Sequence, residues 1–139
     1  VKKYLLLTLI FMFILSGCSI ETNNKPQDIS QEIWDNGIKY TKFINYFVDH
    51  KQYYPDGFVD LIVDFCNPEK YNNLSENDRK ILQDIITLTE KSLDTIHLGE
   101  EPSEEYIQIL TDLEGFFGKQ NIASSKVTDK ELDKIISIL

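Results

Sequence analysis

Residues 74–99, LSENDRKILQDIITLTEKSLDTIHLG, decide the fold class. Ile81, Leu82, Ile85, Thr89, Leu93 and Ile96 recur at spacings of three and four, which puts them on one face of an α-helix. The segment carries its own start and stop signals. Ser75 is placed as an N-cap, Leu74 as a staple before it, and Glu76 and Asp78 favour the positive helix start. Gly99 stands where glycine commonly closes a helix.

The same pattern extends in both directions. Upstream, Ser30 is the expected N-cap of a helix that buries Ile33, Tyr40, Ile44 and Phe47, with Trp34, Phe43 and Val48 beside them. Gly37 falls inside this helix. It weakens the helix by about 1 kcal/mol relative to alanine, so a local irregularity or a close helix contact is expected there. Pro55-Asp56-Gly57 is turn chemistry. Phe58, Leu61, Ile62 and Phe65 then fit a helix with Asp60 and Asp64 opposite. A strand over the same residues would put Ile62 beside the two aspartates, so the helix is favoured. CNPEKYNN ends it.

Downstream, Glu101-Pro102-Ser103 opens a helix with Tyr106, Ile107, Leu110, Leu113 and Phe117 inside and Gly118 at its end. KQNIASSK reads as a loop. Thr128 and Glu131 form a capping box ahead of a last stripe of Leu132, Ile135, Ile136 and Leu139, expected to close the bundle. The expectation is an all-α fold: one small bundle of about five helices over residues 29–139, orthogonal or up-down, behind an N-terminal signal helix and a flexible tether.

The N-terminus is of a different kind. Lys2 and Lys3 precede YLLLTLIFMFIL, residues 4–15, and Ser16, Gly17 and Cys18 follow. A positive flank, an apolar run and small residues make an export signal. The run is too short to span a bilayer, which takes about 20 residues. Leu15-Ser16-Gly17-Cys18 resembles the lipobox of bacterial lipoproteins. The resemblance covers residues 1–19 and implies that the Cys18 sulfur receives a diacylglycerol and that cleavage falls between Gly17 and Cys18. Residues 1–17 are then the signal peptide, and residues 18–28 are the lipidated cysteine and a polar tether containing Pro26. Ten flexible residues reach about 16 to 19 Å. Lipid on Cys18 would hold the chain at the extracytoplasmic face of the cell membrane.

The chain carries 14 basic and 23 acidic residues, a formal net charge of −9. Lys2 and Lys3 belong to the signal, which holds no acid. Residues 18–139 therefore have 12 basic and 23 acidic residues, a net charge of −11. Such a surface repels phosphate backbones and anionic head groups, which argues against nucleic acid, and it attracts a basic protein or a cationic ligand.

No residues assemble into a catalytic pattern. Cys66 follows apolar LIVDF and has no evident base, so a buried, inert thiol is expected. His50 and His97 have no ligand spacing, and Asp56, Asp60 and Asp64 would line a solvated helix face, so no metal and no cofactor are expected. Glu100, Glu101, Glu104 and Glu105 suit a helix start. Glycine-rich phosphate loops and nucleophile turns are absent.

Aromatic residues are less evenly spread. Eight of the thirteen after the signal lie between Trp34 and Phe58, and Tyr46, Tyr53 and Tyr54 do not all fit the core face. Tyrosines at a helix end and turn suit a binding surface. The sequence thus points to a non-enzymatic, membrane-anchored surface lipoprotein whose binding or accessory role needs a protein partner. The alternative is an immunity or phage-exclusion lipoprotein that meets a basic toxin or phage protein, and a hydrolase ranks third.

Overall fold

The computed structural model describes residues 25–139. The signal segment, Gly17, Cys18 and the first part of the tether lie outside the described residues. Lys25–Asp28 form a turn held to the bundle: the Lys25 ammonium donates to the Ile29 carbonyl at 2.5 Å, and the Asn77 amide donates to Asp28.

The fold is all-α. Six α-helices stand among the described residues, namely α1 (Gln31–Asp49), α2 (Phe58–Cys66), α3 (Glu76–Leu98), α4 (Glu104–Phe117), α5 (Lys119–Ile122) and α6 (Asp129–Ser137). Short 3-10 turns occupy Pro68–Lys70 and Ser124–Lys126.

The sequence caps act as read. The Ser30, Ser75, Ser103 and Thr128 side chains each accept a backbone N–H from the first turn of the helix they precede. On α3 the box is completed by Asp78, whose carboxylate reaches back to the Ser75 N–H at 3.2 Å. Gly57 and Gly99 adopt left-handed conformations, with φ of 84° and 68°. The segment after Gly57 is helical, with Phe58, Ile62 and Phe65 buried and Asp60 and Asp64 exposed.

Side-chain contacts set the helix directions. The Ser30 N–H donates to Asp78 at 2.9 Å, joining the starts of α1 and α3. Lys51 and Glu101 pair at 3.3 Å beyond their ends. The two helices therefore run parallel. Phe58 meets Phe47 (ring centroids 5.5 Å) and Phe65 meets Tyr40 (4.9 Å), so α2 runs back along α1. Lys80–Asp112 at 3.3 Å and Lys91–Glu105 at 2.7 Å make α4 antiparallel to α3. Helices α1–α4 form an up-down-up-down bundle. One pole holds Lys25, Ser30 and Asp78, and the other holds Tyr53 and His97.

Gly37 is the close contact that its position in α1 suggested. A Cβ there would stand 2.5 Å from Phe117 Cζ, and the same ring packs edge-on against Trp34 at 5.5 Å. Glycine lets the end of α4 approach the α1 backbone. Below this contact, the Tyr106 hydroxyl donates to Asn45 Oδ1 at 2.8 Å, and Asn45 Nδ2 donates to the Ile122 carbonyl at 2.8 Å. This chain of bonds satisfies buried polar groups while joining α1, α4 and α5.

Four expectations change. KQNIASSK is not a plain loop: it contains α5 and a 3-10 turn, and Ile122 is buried. Ile107 is 54% exposed, because the inward line of α4 runs through Tyr106, Leu113 and Phe117 and leaves Ile107 about 100° away. On α3, Leu88 and Ser92 are buried while Leu93 is half-buried, because the stripe is shared among α1, α2 and α4. Only Ile135 of the last stripe is fully buried. Leu132 is half-buried, and Ile136 and Leu139 are exposed, so α6 closes the bundle over one turn rather than along its length.

Two glycine substitutions test this packing. Gly37→Ala forces a methyl into the Phe117 ring and should cost about 1–3 kcal/mol. Gly115→Ala meets open space on the exposed face of α4 and should gain about 0.5–1 kcal/mol. Urea denaturation midpoints moving in opposite directions are the expected result.

Candidate partner-binding surface

The three tyrosines singled out by the sequence separate in space. Tyr46 is half-buried on α1, its ring stacked on His50 at 4.2 Å and edge-on to Phe47 at 5.6 Å. The His50 Nδ1 lies 2.8 Å from the Tyr46 carbonyl, which it reaches as a donor when the proton is on Nδ1. Tyr54 belongs to the edge of the core. Its ring packs on Phe47 and Phe58, and its hydroxyl bonds Ser92, which in turn donates to the Thr89 carbonyl at 2.6 Å. Tyr53 alone is widely open, at 68% exposure, with its ring beside His97.

Tyr53 and Tyr54 line a shallow recess of about 260 Å³ with Asp56, Asp60, Leu93 and His97; Tyr46 is not part of it. Leu98, next to His97, is 67% exposed. Around this pole stand Glu100 and Glu101, both exposed. Glu104 and Glu105 occupy the first turn of α4, as the helix-dipole reading of GEEPSEE expects. Apolar tips within an acidic rim suit a ligand with apolar and basic groups.

A larger groove, of about 660 Å³, lies between α2 and α3 and did not figure among the sequence candidates. Its floor is Leu82 and Cys66, both buried, and its rim includes Val63, Ile86, Asp60 and Arg79. Asn67-Pro68 creates it. The residue before a proline is biased to extended backbone, and proline supplies no N–H, so α2 stops after nine residues. The 23-residue α3 continues past that end. The sequence signal is present in this mismatch of helix lengths beside an apolar stripe, but it shows only once the two helices are known to pack together.

Cys66 is a free, buried thiol pushed up to about 12 by burial. Burial likewise raises the Tyr54 and Tyr106 phenols. Among the described residues, no three His, Cys, Asp or Glu side chains gather as a metal site, and no helix is long and apolar enough to cross a membrane. Comparison of the chain with family models, curated proteins and solved structures finds no match.

The raised thiol and phenols make stability fall in alkali. Below about pH 8.5 these groups keep their protons in both the folded and the unfolded chain, so their contribution is complete. Above it the unfolded chain releases protons that the folded chain retains, first from the thiol and near pH 10 from the phenols. Stability should decline by about 1.4 kcal/mol per pH unit for each such group until its folded value is reached. Urea unfolding at pH 7, 9 and 10.5 should show the decline, with a shallower slope in Cys66→Ala and Tyr106→Phe. A flat profile in the parent chain would contradict the buried-proton account.

Proposed function

We propose that this chain is a lipid-anchored protein of the extracytoplasmic membrane face that acts by binding another protein, without catalysis. The observation that carries the reading is the order of residues 2–18: two lysines, an apolar run, then Leu15-Ser16-Gly17-Cys18. In this reading Cys18 carries the lipid and becomes the first residue of the mature chain. Two or more acyl chains give a stable anchor, where one gives only marginal binding.

The binding role draws on the charge and the exposed tips. A net charge of −11 over residues 18–139 favours a basic partner. The anchored end of the chain enters the bundle at the Lys25 pole, and Tyr53 with Leu98 stands at the other. Of the three sequence-selected tyrosines, Tyr53 has the most open contact surface. Tyr54 shapes the recess beside it, and Tyr46 lies apart, stacked on the His50 ring at the end of α1.

The anchor is tested by Cys18→Ser, which should remove lipid labelling and release or mis-process the protein; unchanged labelling of the membrane-retained variant would overturn it. The binding role is tested separately by placing a photo-crosslinking residue at position 53 or, as a control, at exposed position 126 in intact cells. A position-53 adduct with a basic protein, absent from the control, is the expected outcome. Equal labelling at both positions, or no adduct at 53, would count against Tyr53 as the contact.

A further inference from the structure

The groove between α2 and α3 has the form of a helix-binding site. On α3 it is lined at 79, 82, 83 and 86, on α2 at 60, 63, 64 and 66, and past the end of α2 by Asn67 and Pro68. The α3 set follows the i, i+3, i+4, i+7 spacing that one helix presents to another, and 60, 63 and 64 on α2 follow its first three positions. Two such stripes converge on a floor of buried Leu82 and Cys66, between lips formed by Val63, 50% exposed, and half-buried Ile86.

Its charges are placed at opposite ends. Because α2 and α3 run antiparallel, Asp60 lies toward Ile86 and Arg79 toward Asn67. Asp64 is engaged by Lys70, whereas neither Asp60 nor Arg79 makes an ion pair among the described residues. On α3, Arg79 and Ile86 are seven helical residues apart, a rise of about 10 Å.

We infer that this groove docks a two-turn amphipathic helix of a partner protein, with an acidic residue at i opposite Arg79, apolar residues at i+3 and i+4 on Leu82, and a basic residue at i+7 opposite Asp60. An acid at the helix start and a base at its end also agree with the helix dipole, which makes the bound helix parallel to α3. The inference rests on the protein-binding half of the proposed function and is independent of the lipid anchor; Asp60 is shared with the Tyr53 recess, whereas Val63, Ile86 and Arg79 belong to the groove and not to that recess.

The experiment uses the full chain in lipid nanodiscs and a displayed library of helices on a fixed scaffold, randomised at i, i+3, i+4 and i+7, with empty nanodiscs subtracted. The expected result is enrichment of acid, apolar, apolar, base, with binding lost in Val63→Lys and Ile86→Lys variants that keep the parent helical signal and melting behaviour. The decisive variant is the double charge exchange Asp60→Lys with Arg79→Glu. It should reverse the preference, so that helices with base at i and acid at i+7 bind about tenfold better than the original selection. Three results would overturn the inference: no enrichment over the Val63→Lys control, a charge preference unchanged by the double exchange, or sedimentation showing that Val63 and Ile86 instead join two copies of this chain. A position-53 adduct obtained without helix enrichment would leave the binding reading standing and remove only the groove.

Discussion

Asp78 holds the frame on which the other contacts are arranged. It is 3% exposed, and its two oxygens accept the Ser75 and Ser30 N–H groups, one starting its own helix and the other ending the strand of chain that enters α1. A carboxylate at this position completes the capping box, favours the positive end of α3 and satisfies a donor on a neighbouring element. The consequence is a register. With the starts of α1 and α3 joined, Phe47 and Phe58 meet at the far pole and Tyr40 and Phe65 meet nearer the entry. The ion pairs of α4 with Lys80 and Lys91 then place Phe117 beside the start of α1, where Gly37 makes room for it.

The local parts of this frame are legible in the sequence because they depend on neighbours in the chain. Ser30, Ser75, Ser103 and Thr128 act on groups three residues away, and Gly57 and Gly99 answer to their own backbone angles. The stripes are legible to the extent that one partner determines them. On α3, three neighbouring helices widen the buried arc, and Ser92 enters it with its hydroxyl satisfied by Thr89 while Leu93 moves to the edge. Ile107 misleads for a related reason: it is apolar and one residue from Tyr106, but one residue on a helix is a turn of about 100°. The segment 119–126 hides its order because short helices have too few residues for a period to show, and its buried anchor is the single Ile122.

The aromatic cluster shows why a surface is harder to read than a core. Tyr53 and Tyr54 are adjacent and chemically identical, yet one is open to solvent and the other is tied to Ser92 through its hydroxyl. A tyrosine can end either way because its ring is apolar and its tip is polar. The outcome is set by whether a buried hydroxyl partner is within reach. That partner lies on a different helix, so no local pattern reports it. Leu15-Ser16-Gly17-Cys18 is the opposite case: its resemblance to a lipobox lies in a linear stretch and does not depend on the bundle.

The groove joins the two kinds of information. Its cause is local, since Pro68 ends α2 and the Asn67 side chain accepts the Glu69 N–H at 3.0 Å to hold the turn. Its effect is not local. An α2 of nine residues spans about 13 Å beside an α3 of about 34 Å, so part of the apolar stripe on α3 has no helix of this chain above it. Tyr71 returns to donate to the Phe65 carbonyl at 2.7 Å on the side of α2 that faces α1, away from Arg79 and Ile86. One more turn of α2 would place its carbonyl end near Arg79. The stop at Pro68 leaves the Arg79 end of the groove without a helix of this chain above it, beside the buried floor of Leu82 and Cys66.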